Sequence, residues 1–146
     1  MLTATGQYAL RAMGALAQRP LNAYSRAQEL GRDLGLPPLY LSKVMQQLAR
    51  AGLLTAQRGR RGGYRLAREP QKIRLYEILA AVEPVARYES CILGHRECSD
   101  STSCPVHDAW VSARSKVLNL FQRTPLSDLA ANKDLMLPMA TASGTA

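Results

Sequence analysis

The sequence lacks the features that mark membrane-spanning and secreted proteins. No apolar run reaches the ~18 residues that a membrane-spanning helix needs. No basic segment followed by a short apolar core stands at the N-terminus, so no secretory signal is expected. Both absences favour a cytoplasmic protein with no membrane partner. Thiols stay reduced in that compartment, and the three cysteines are expected to be ligands or redox groups rather than a disulfide framework.

The chain also lacks the motifs of several enzyme classes. The glycine-rich segment 58–63 has no Lys-Ser/Thr ending and no surrounding strand–helix unit, which excludes a nucleotide-hydrolysing phosphate loop. We find no paired catalytic carboxylates and no second cofactor motif in the sequence. The prediction is therefore a protein that is not an enzyme.

Acidic residues are scarce in the first half of the chain. Residues 1–75 hold 13 Lys and Arg against 3 Asp and Glu, a net charge of +10, whereas residues 76–146 hold 6 against 8, a net charge of −2. A basic half beside a slightly acidic half is typical of a module that binds a polyanion and carries a separate second function. The alternative is a solvated basic surface, but an excess of ten charges in half of a small protein favours nucleic acid.

The basic half predicts a helix-turn-helix. A first helix over residues 1–19 ends before Pro20, and a short second helix begins at a capping box over 25–28 and ends at Gly35. A third helix opens at Pro38 and combines an apolar stripe with a polar face. The stripe consists of Leu41, Val44, Met45 and Leu48. In a helix-turn-helix the second helix of the pair enters the DNA major groove, with its N-terminal residues nearest the bases.

A wing follows the helix-turn-helix. Residues 53–57 and 64–66 are predicted strands around the glycine-rich tip 58–63. Arginines in this tip can enter a narrow minor groove, and its glycines allow a close backbone approach. The alternative is an ordinary glycine-rich surface turn. The residues predicted to contact DNA are Ser25, Pro38, Tyr40, Ser42, Lys43, Gln46, Arg50, Arg58, Arg60, Arg61 and Tyr64.

The second half predicts a helix over 73–82, a polar loop, and a long amphipathic helix from Pro105. The long helix has too few neighbours to cover its apolar stripe. We expect a second copy of the chain to bury this stripe in a dimer. The alternative is that the long helix packs onto its own domain. We predict a mainly α fold with a small β wing, divided into a winged helix-turn-helix, a cysteine-bearing loop, a dimerisation helix with a short C-terminal helix, and a flexible tail over 1–82, 83–104, 105–132 and 133–146.

Every cysteine and both histidines lie in residues 91–107, where the cysteines and the last histidine have the spacing Cys-x6-Cys-x5-Cys-x2-His. Thiolates and imidazole suit iron–sulfur clusters, copper(I) and zinc. Structural zinc sites usually hold ligands two to four residues apart, whereas wider gaps fit a loop around a larger inorganic core. An iron–sulfur cluster is therefore favoured over zinc and over a redox dithiol. The candidate metal ligands are Cys91, Cys98, Cys104 and His107. Other possible ligands, ordinary surface residues by default, are His95, Glu97, Asp100 and Asp108.

Together these residues resemble the Rrf-type winged-helix transcriptional regulators, with their IscR-like and NsrR-like branches. The resemblance runs from about residue 2 to residue 132 and rests on segments 6–10, 39–41 and 58–64. It also includes the three cysteines, the Cys-Pro-Val-His motif that begins at Cys104, and Trp110. The resemblance implies a homodimer whose long helices cross near the two-fold axis, with a cluster held by the cysteines of each chain.

The IscR-like branch uses three cysteines and a histidine for a [2Fe–2S] cluster, and the set in 91–107 matches it with a first gap one residue longer. NsrR-like proteins take an acidic ligand near the N-terminus of the partner subunit, where this chain has Gln7. The resemblance thus favours the IscR-like branch and [2Fe–2S] over [4Fe–4S]. The family's minor-groove arginine and aromatic recognition-helix residue correspond to Arg58 and Tyr40. Ser42 and Lys43 replace an acidic residue and a glutamine, so we expect a different preferred DNA site.

The sequence thus predicts a bacterial, cytoplasmic transcriptional repressor that binds an inverted-repeat operator in double-stranded DNA as a homodimer and is nucleoid-associated when bound. Its operator binding would be gated by an iron–sulfur cluster that senses redox state, nitric oxide or iron–sulfur status. Two alternatives stay open. One is a cluster-free thiol or zinc-site winged-helix regulator, and the other is an iron–sulfur or redox carrier with an incidental basic face.

Overall fold

The computed structural model describes residues 2–95, 98–102 and 104–136, which form a mainly helical fold with one two-stranded antiparallel sheet. The helices are α1 (Ala4–Ala17), α2 (Ala27–Leu34), α3 (Pro38–Arg50), α4 (Leu75–Val82), α5 (His107–Arg123) and α6 (Leu126–Ala130). The strands β1 (Leu54–Gln57) and β2 (Gly63–Leu66) lie between α3 and α4. Single 3-10 turns span Pro70–Lys72, Val85–Tyr88, Asp100–Thr102 and Lys133–Met136. The predicted fold class is confirmed.

The helix-turn-helix forms because α2 and α3 bury their apolar faces against α1. The four residues of the predicted α3 stripe are buried, as their helical spacing predicts. Gly35 caps the end of α2 with a φ of 65°, a left-handed conformation that glycine adopts without strain. Pro38 opens α3, where the missing N–H of proline would have no helical acceptor.

The start of α2 differs from the predicted capping box by one residue. Arg26 is the N-cap, and its backbone N–H donates to Oε2 of Glu29 at 3.4 Å. Ser25, the predicted cap, instead pairs its backbone with Tyr64 of β2, with N–O distances of 2.9 and 2.8 Å. Because this pairing commits Ser25 to the sheet, the helix begins one residue later.

The wing is a regular antiparallel hairpin that extends from the core. Its register runs from Leu54 opposite Leu66 to Gln57 opposite Gly63. The two leucines are buried and anchor the base of the hairpin. Gly63 has a φ of 140°, and a Cβ there would lie 2.4 Å from the carbonyl oxygen of Ser25, so only glycine allows β2 to approach α2 this closely.

The C-terminal helices join the winged-helix core. Leu126 of α6 is fully buried, and its N–H donates to the carbonyl of Ile73 at 2.8 Å. Phe121 of α5 packs against Tyr88, with ring centroids 5.9 Å apart. This core therefore includes residues on both sides of the predicted division after residue 82. Beyond Lys133–Met136 the predicted tail lies outside the described residues. Within the described chain, no helix combines the length and apolarity that crossing a membrane requires.

Candidate nucleic-acid interface and cysteine site

The helix α3 and the wing border one cleft of about 580 Å³. Pro38 and Ser42 of α3 form one wall, and Gly59 and Tyr64 of the wing form the other. The cleft follows from the backbone pairing of Ser25 with Tyr64, which holds the wing beside the start of α2. A helix and a basic hairpin tip on one side of the molecule can reach a major groove and the adjacent minor groove together.

The side chains predicted to contact DNA are mostly accessible. Ser42 and Tyr64 are half-buried, and Ser25 is buried. The exposed ones are Pro38, Tyr40, Lys43, Gln46, Arg50, Arg58, Arg60 and Arg61. The accessible cations supply the positive field that attracts phosphates.

Ser25 differs from this set because its side chain is only 3% exposed. Its hydroxyl accepts a hydrogen bond from Nη1 of Arg19 at 2.8 Å, and Arg19 also forms an ion pair with Asp33 at 2.5 Å. The hydroxyl is therefore directed into the protein, and we propose no DNA contact for it. Sequence reasoning missed this arrangement because a serine before a helix normally indicates a cap.

Tyr40 faces outward from α3 and also links α3 to α1. Its hydroxyl hydrogen-bonds with the hydroxyl of Thr5, and its ring meets that of Tyr8 edge-on, with centroids 5.7 Å apart and planes 85° apart. These contacts hold Tyr40 in one orientation at the N-terminal end of the recognition helix. Any movement of α1 therefore reaches a predicted DNA contact directly.

The wing tip is held against α2 by an arginine. Nη2 of Arg26 donates to the carbonyl oxygen of Arg60. Farther along β2, the guanidinium of Arg65 lies over the ring of Tyr24, 4.9 Å from its centroid. Both contacts use cations to position the hairpin, while the side chains of Arg58 and Arg61 stay exposed.

The cysteine segment is organised around His107, the first residue of α5. His107 is 5% exposed, and its Nδ1 lies 3.3 Å from Sγ of Cys98. Its Nε2 lies 3.1 Å from Oδ1 of Asp100. The two ring nitrogens of His107 therefore face different partners, a carboxylate oxygen on one side and a thiol sulfur on the other.

The other two cysteines adjoin this pair. Backbone N–H groups of His95 and Leu93 hold the pKa of the Cys91 thiol below its usual value, and a hydrogen bond with the Cys98 side chain acts in the same direction. The carbonyl oxygen of Cys104 accepts the backbone N–H of His107 at 3.0 Å. Thus Cys98 contacts both Cys91 and His107, and Cys104 adjoins His107 through the backbone.

The side chains of Cys91, Cys98, His107 and Asp100 contact one another in successive pairs. Within residues 2–95, 98–102 and 104–136, no three His, Cys, Asp or Glu side chains form a group that could hold a metal ion. Glu97, one of the acidic residues considered as a possible ligand, lies outside the described residues.

Three residues that sequence reasoning missed connect the cysteine segment to α1. Glu83 at the end of α4 is 7% exposed and accepts hydrogen bonds from the backbone N–H of Thr3 at 3.3 Å, from the Thr3 hydroxyl and from the Tyr88 hydroxyl. A Cβ at Gly6 would lie 2.9 Å from Oε2 of Glu83, so glycine leaves the space that this carboxylate occupies. Tyr88 precedes Cys91 by three residues, which places this buried network next to the thiols.

Trp110 holds the chain just before the first cysteine. Its Nε1–H donates to the carbonyl oxygen of Ser90 at 2.9 Å. Apolar side chains around it are exposed on the loop and at the start of α5, namely Ile92, Leu93 and Val106. This patch continues the uncovered face of α5, where Leu120 is 57% exposed.

Comparison with known proteins agrees with this geometry. Residues 2–132 match the family described as Rrf2, iron-dependent transcriptional regulator. A putative HTH-type transcriptional regulator of Aquifex aeolicus is 32% identical over 127 residues, 86% of this chain and 88% of that protein. The HTH-type transcriptional regulator IscR of Vibrio atlanticus is 27% identical over 92% of this chain and 78% of its own length.

Among solved structures, CymR (YrzC), the global cysteine regulator of B. subtilis, superposes with a TM-score of 0.75 at 26% identity. The match covers 90% of this chain and 96% of that chain. These relatives are regulators of transcription rather than enzymes. The chain belongs to the Rrf2 family of winged-helix, DNA-binding transcriptional regulators.

Proposed function

We propose that this chain is a homodimeric transcriptional repressor whose operator binding is gated by an iron–sulfur cluster. The observation that carries the proposal is the buried His107, whose Nδ1 faces Sγ of Cys98 while Asp100 holds Nε2. Histidines that ligate metals usually donate their second ring N–H to a carboxylate or carbonyl, which fixes the ring orientation. His107 has the same arrangement, with a carboxylate at one ring nitrogen and a candidate metal ligand beside the other.

The donor set is chemically suited to such a cluster. Three thiols and one imidazole are ligands for iron–sulfur centres, and the low pKa of Cys91 favours the thiolate that ligation requires. The residues that would hold the cluster are Cys91, Cys98, Cys104 and His107, with [2Fe–2S] favoured over [4Fe–4S] and zinc. When bound, the cluster supplies a centre that responds to oxidants, nitric oxide and iron supply.

The DNA-binding half acts through α3 and the wing. Exposed Lys and Arg neutralise phosphates of an inverted-repeat operator, which makes affinity fall steeply with salt. Ser42, Lys43 and Gln46 face base edges in the major groove, and Arg58, Arg60 and Arg61 face the minor groove. The uncovered apolar face of α5, which includes Leu120, supports a second copy of the chain as its cover. We assign the protein to the bacterial cytoplasm and, when it is bound to its operator, to the nucleoid.

The proposed route from the thiols to DNA runs through a series of hydrogen bonds between side chains and backbone. Tyr88, next to the cysteine segment, bonds to Glu83, and Glu83 bonds to Thr3 at the start of α1. Two residues later, Thr5 bonds to Tyr40 of α3. A change in the path of the cysteine segment would therefore alter α1 and the recognition helix. A tenfold difference in affinity between the two cluster states requires about 1.4 kcal/mol of coupling.

Purification without oxygen tests the proposal. We expect coloured protein that contains iron and acid-labile sulfide, and a colourless Cys98→Ala variant. Ser101→Ala, a change of an exposed residue in the same segment, should keep the colour and the iron content of wild type. A colourless wild-type protein with stoichiometric zinc, or one that holds no iron, would contradict the proposed cluster.

A cluster-free thiol regulator is the second candidate. It is favoured by the contact between Cys91 and Cys98 and by the Cys98–His107–Asp100 arrangement. One peroxide molecule would accept two electrons and two protons from the two thiols, which gives a disulfide and two waters. In that case peroxide would lower the mass of iron-free protein by two hydrogen atoms and change its operator affinity. The third reading, a carrier with an incidental basic face, is disfavoured by the family membership.

A further inference from the structure

An exposed leucine stands at the start of the recognition helix. Leu39 is the second residue of α3, and at 86% it is the most exposed of the large hydrophobic side chains that the structure describes. Pro37 and Pro38 on one side and the buried Leu41 on the other hold this turn in place. The exposure of Leu39 therefore belongs to an ordered helix and not to a frayed end.

Leu39 lies on the candidate DNA-binding side of the molecule. Leu39 and Ser42 both border the cleft between α3 and the wing, and Lys43 follows one turn along the same face. Arg26 and the wing glycines complete the border. At 86% exposure, the Leu39 side chain is left almost entirely uncovered by the described residues, and the cations Arg26 and Lys43 on this side attract a polyanion.

We propose that Leu39 recognises thymine by packing against its C5-methyl group in each operator half-site. This inference rests on the proposed function as a sequence-specific DNA-binding protein. N-terminal residues of a recognition helix lie nearest the base edges. The major-groove edges present hydrogen-bond donors and acceptors with one apolar exception, the methyl group of thymine. Leucine has no donor or acceptor in its side chain, so the methyl group is the feature that it can recognise.

Replacement of thymine by uracil tests this assignment because it deletes only the methyl group. Full-length wild-type protein would first select its operator from random duplexes. Each thymine of one half-site is then changed to uracil, and affinity is measured by fluorescence anisotropy. For wild type, we expect one position at which the change weakens binding about threefold to fivefold. For Leu39→Ala, the same change should have an effect below about 1.5-fold.

Two further variants separate recognition from folding. Leu39→Met keeps an apolar side chain of similar reach and should keep the sensitivity to uracil. Leu21→Ala removes another exposed leucine, between α1 and α2, and should behave as wild type. The inference is overturned if wild type binds a selected operator but tolerates every uracil, or if Leu39→Ala keeps the sensitivity. Either of these results would leave the proposed function intact. If wild type selects no operator sequence, the role of Leu39 and the proposed sequence-specific DNA binding are both contradicted.

Discussion

Asp100 and His107 form the contact that orients the cysteine site. Oδ1 of Asp100 lies 3.1 Å from Nε2 of His107, and the opposite ring nitrogen lies 3.3 Å from Sγ of Cys98. Asp100 itself is exposed, whereas the imidazole is buried. An accessible carboxylate therefore contacts one nitrogen of a buried ring whose other nitrogen faces a thiol.

We expect Asp100→Asn to weaken retention of the cluster without removing a ligand. Loss of a carboxylate partner of a ligating histidine typically lowers metal affinity about 10-fold to 100-fold. Iron release to a chelator under anaerobic conditions measures the effect. Asp108→Asn changes an exposed acid beside His107 and serves as the control. Equal release rates for Asp100→Asn and wild type would contradict the role of Asp100.

Tyr88→Phe tests the route from the cysteine segment to α1. The change removes the hydroxyl that donates to Glu83 but keeps the ring that packs on Phe121. Operator affinity would be measured with and without the cluster. We expect the ratio of the two affinities to move toward one, since the residue next to the cysteine segment loses its hydrogen bond to Glu83. Tyr76→Phe, on α4, is the matched control. An unchanged ratio in Tyr88→Phe would contradict this route.

Glu77 predicts a specific dependence of stability on pH. Burial acts to raise the pKa of Glu77, but the N–H of Arg74 at 2.8 Å and the guanidinium of Arg68 at 2.7 Å outweigh it and hold the pKa below its ordinary value of 4.5. The carboxylate caps α4, and Glu77→Ala should lower the free energy of unfolding by about 1 kcal/mol at pH 7.

Because the folded-state pKa of Glu77 is lowered, the stability that its carboxylate contributes decreases at acid pH. The contribution of ionised Glu77 is fully present above pH 4.5 and is lost as pH falls through the lower folded value. Denaturation of wild type and Glu77→Ala across this range should therefore converge at acid pH. Glu69→Ala, which removes an exposed ion pair with Lys72, should change stability by about 0.5 kcal/mol or less. A difference between wild type and Glu77→Ala that persists at low pH would refute the capping role.

Leu120→Glu should dissociate the proposed dimer. The substitution introduces a charge on the exposed apolar side of α5 that the second copy would cover, and an unpaired carboxylate buried there is strongly disfavoured. Sedimentation would report a monomer mass for this variant and a dimer mass for wild type and for Gln122→Glu, a neighbouring exposed position. A dimer that survives Leu120→Glu would exclude this face as the interface.

Local signals predicted the DNA-binding half well. The α3 stripe, the prolines at its start, the glycine at the end of α2 and the glycine-rich wing tip each act within a few residues of chain. Such signals decide where helices and strands begin and end. The one-residue error at α2 arose where a long-range contact, Ser25 with Tyr64, competed with the local capping pattern.

The contacts between distant residues could not be predicted in the same way. Thr3 and Glu83 meet across 80 residues of sequence, and Thr5 meets Tyr40 across 35. Packing of α1 against α4 and α3 determines these pairs, and no periodic pattern encodes them. For the cysteine segment, spacing identified the candidate donors. Their pairing depends on the path of an irregular polar loop, so the role of Asp100 emerged only from the structure.

The pairing of Ser25 with Tyr64 and the hydrogen bond from Arg26 to Arg60 also fix the distance between the wing and the start of α2. These contacts join the hairpin to the start of α2, which leads into the recognition helix α3. In the proposed complex with DNA, the wing and α3 of one subunit would therefore contact adjacent grooves at a fixed separation. A base pair inserted within a half-site should put one of them out of phase. In the proposed dimer, the separation between half-sites depends instead on how the two subunits are joined. We therefore expect the spacing of contacts to be fixed within each half-site and adjustable between half-sites.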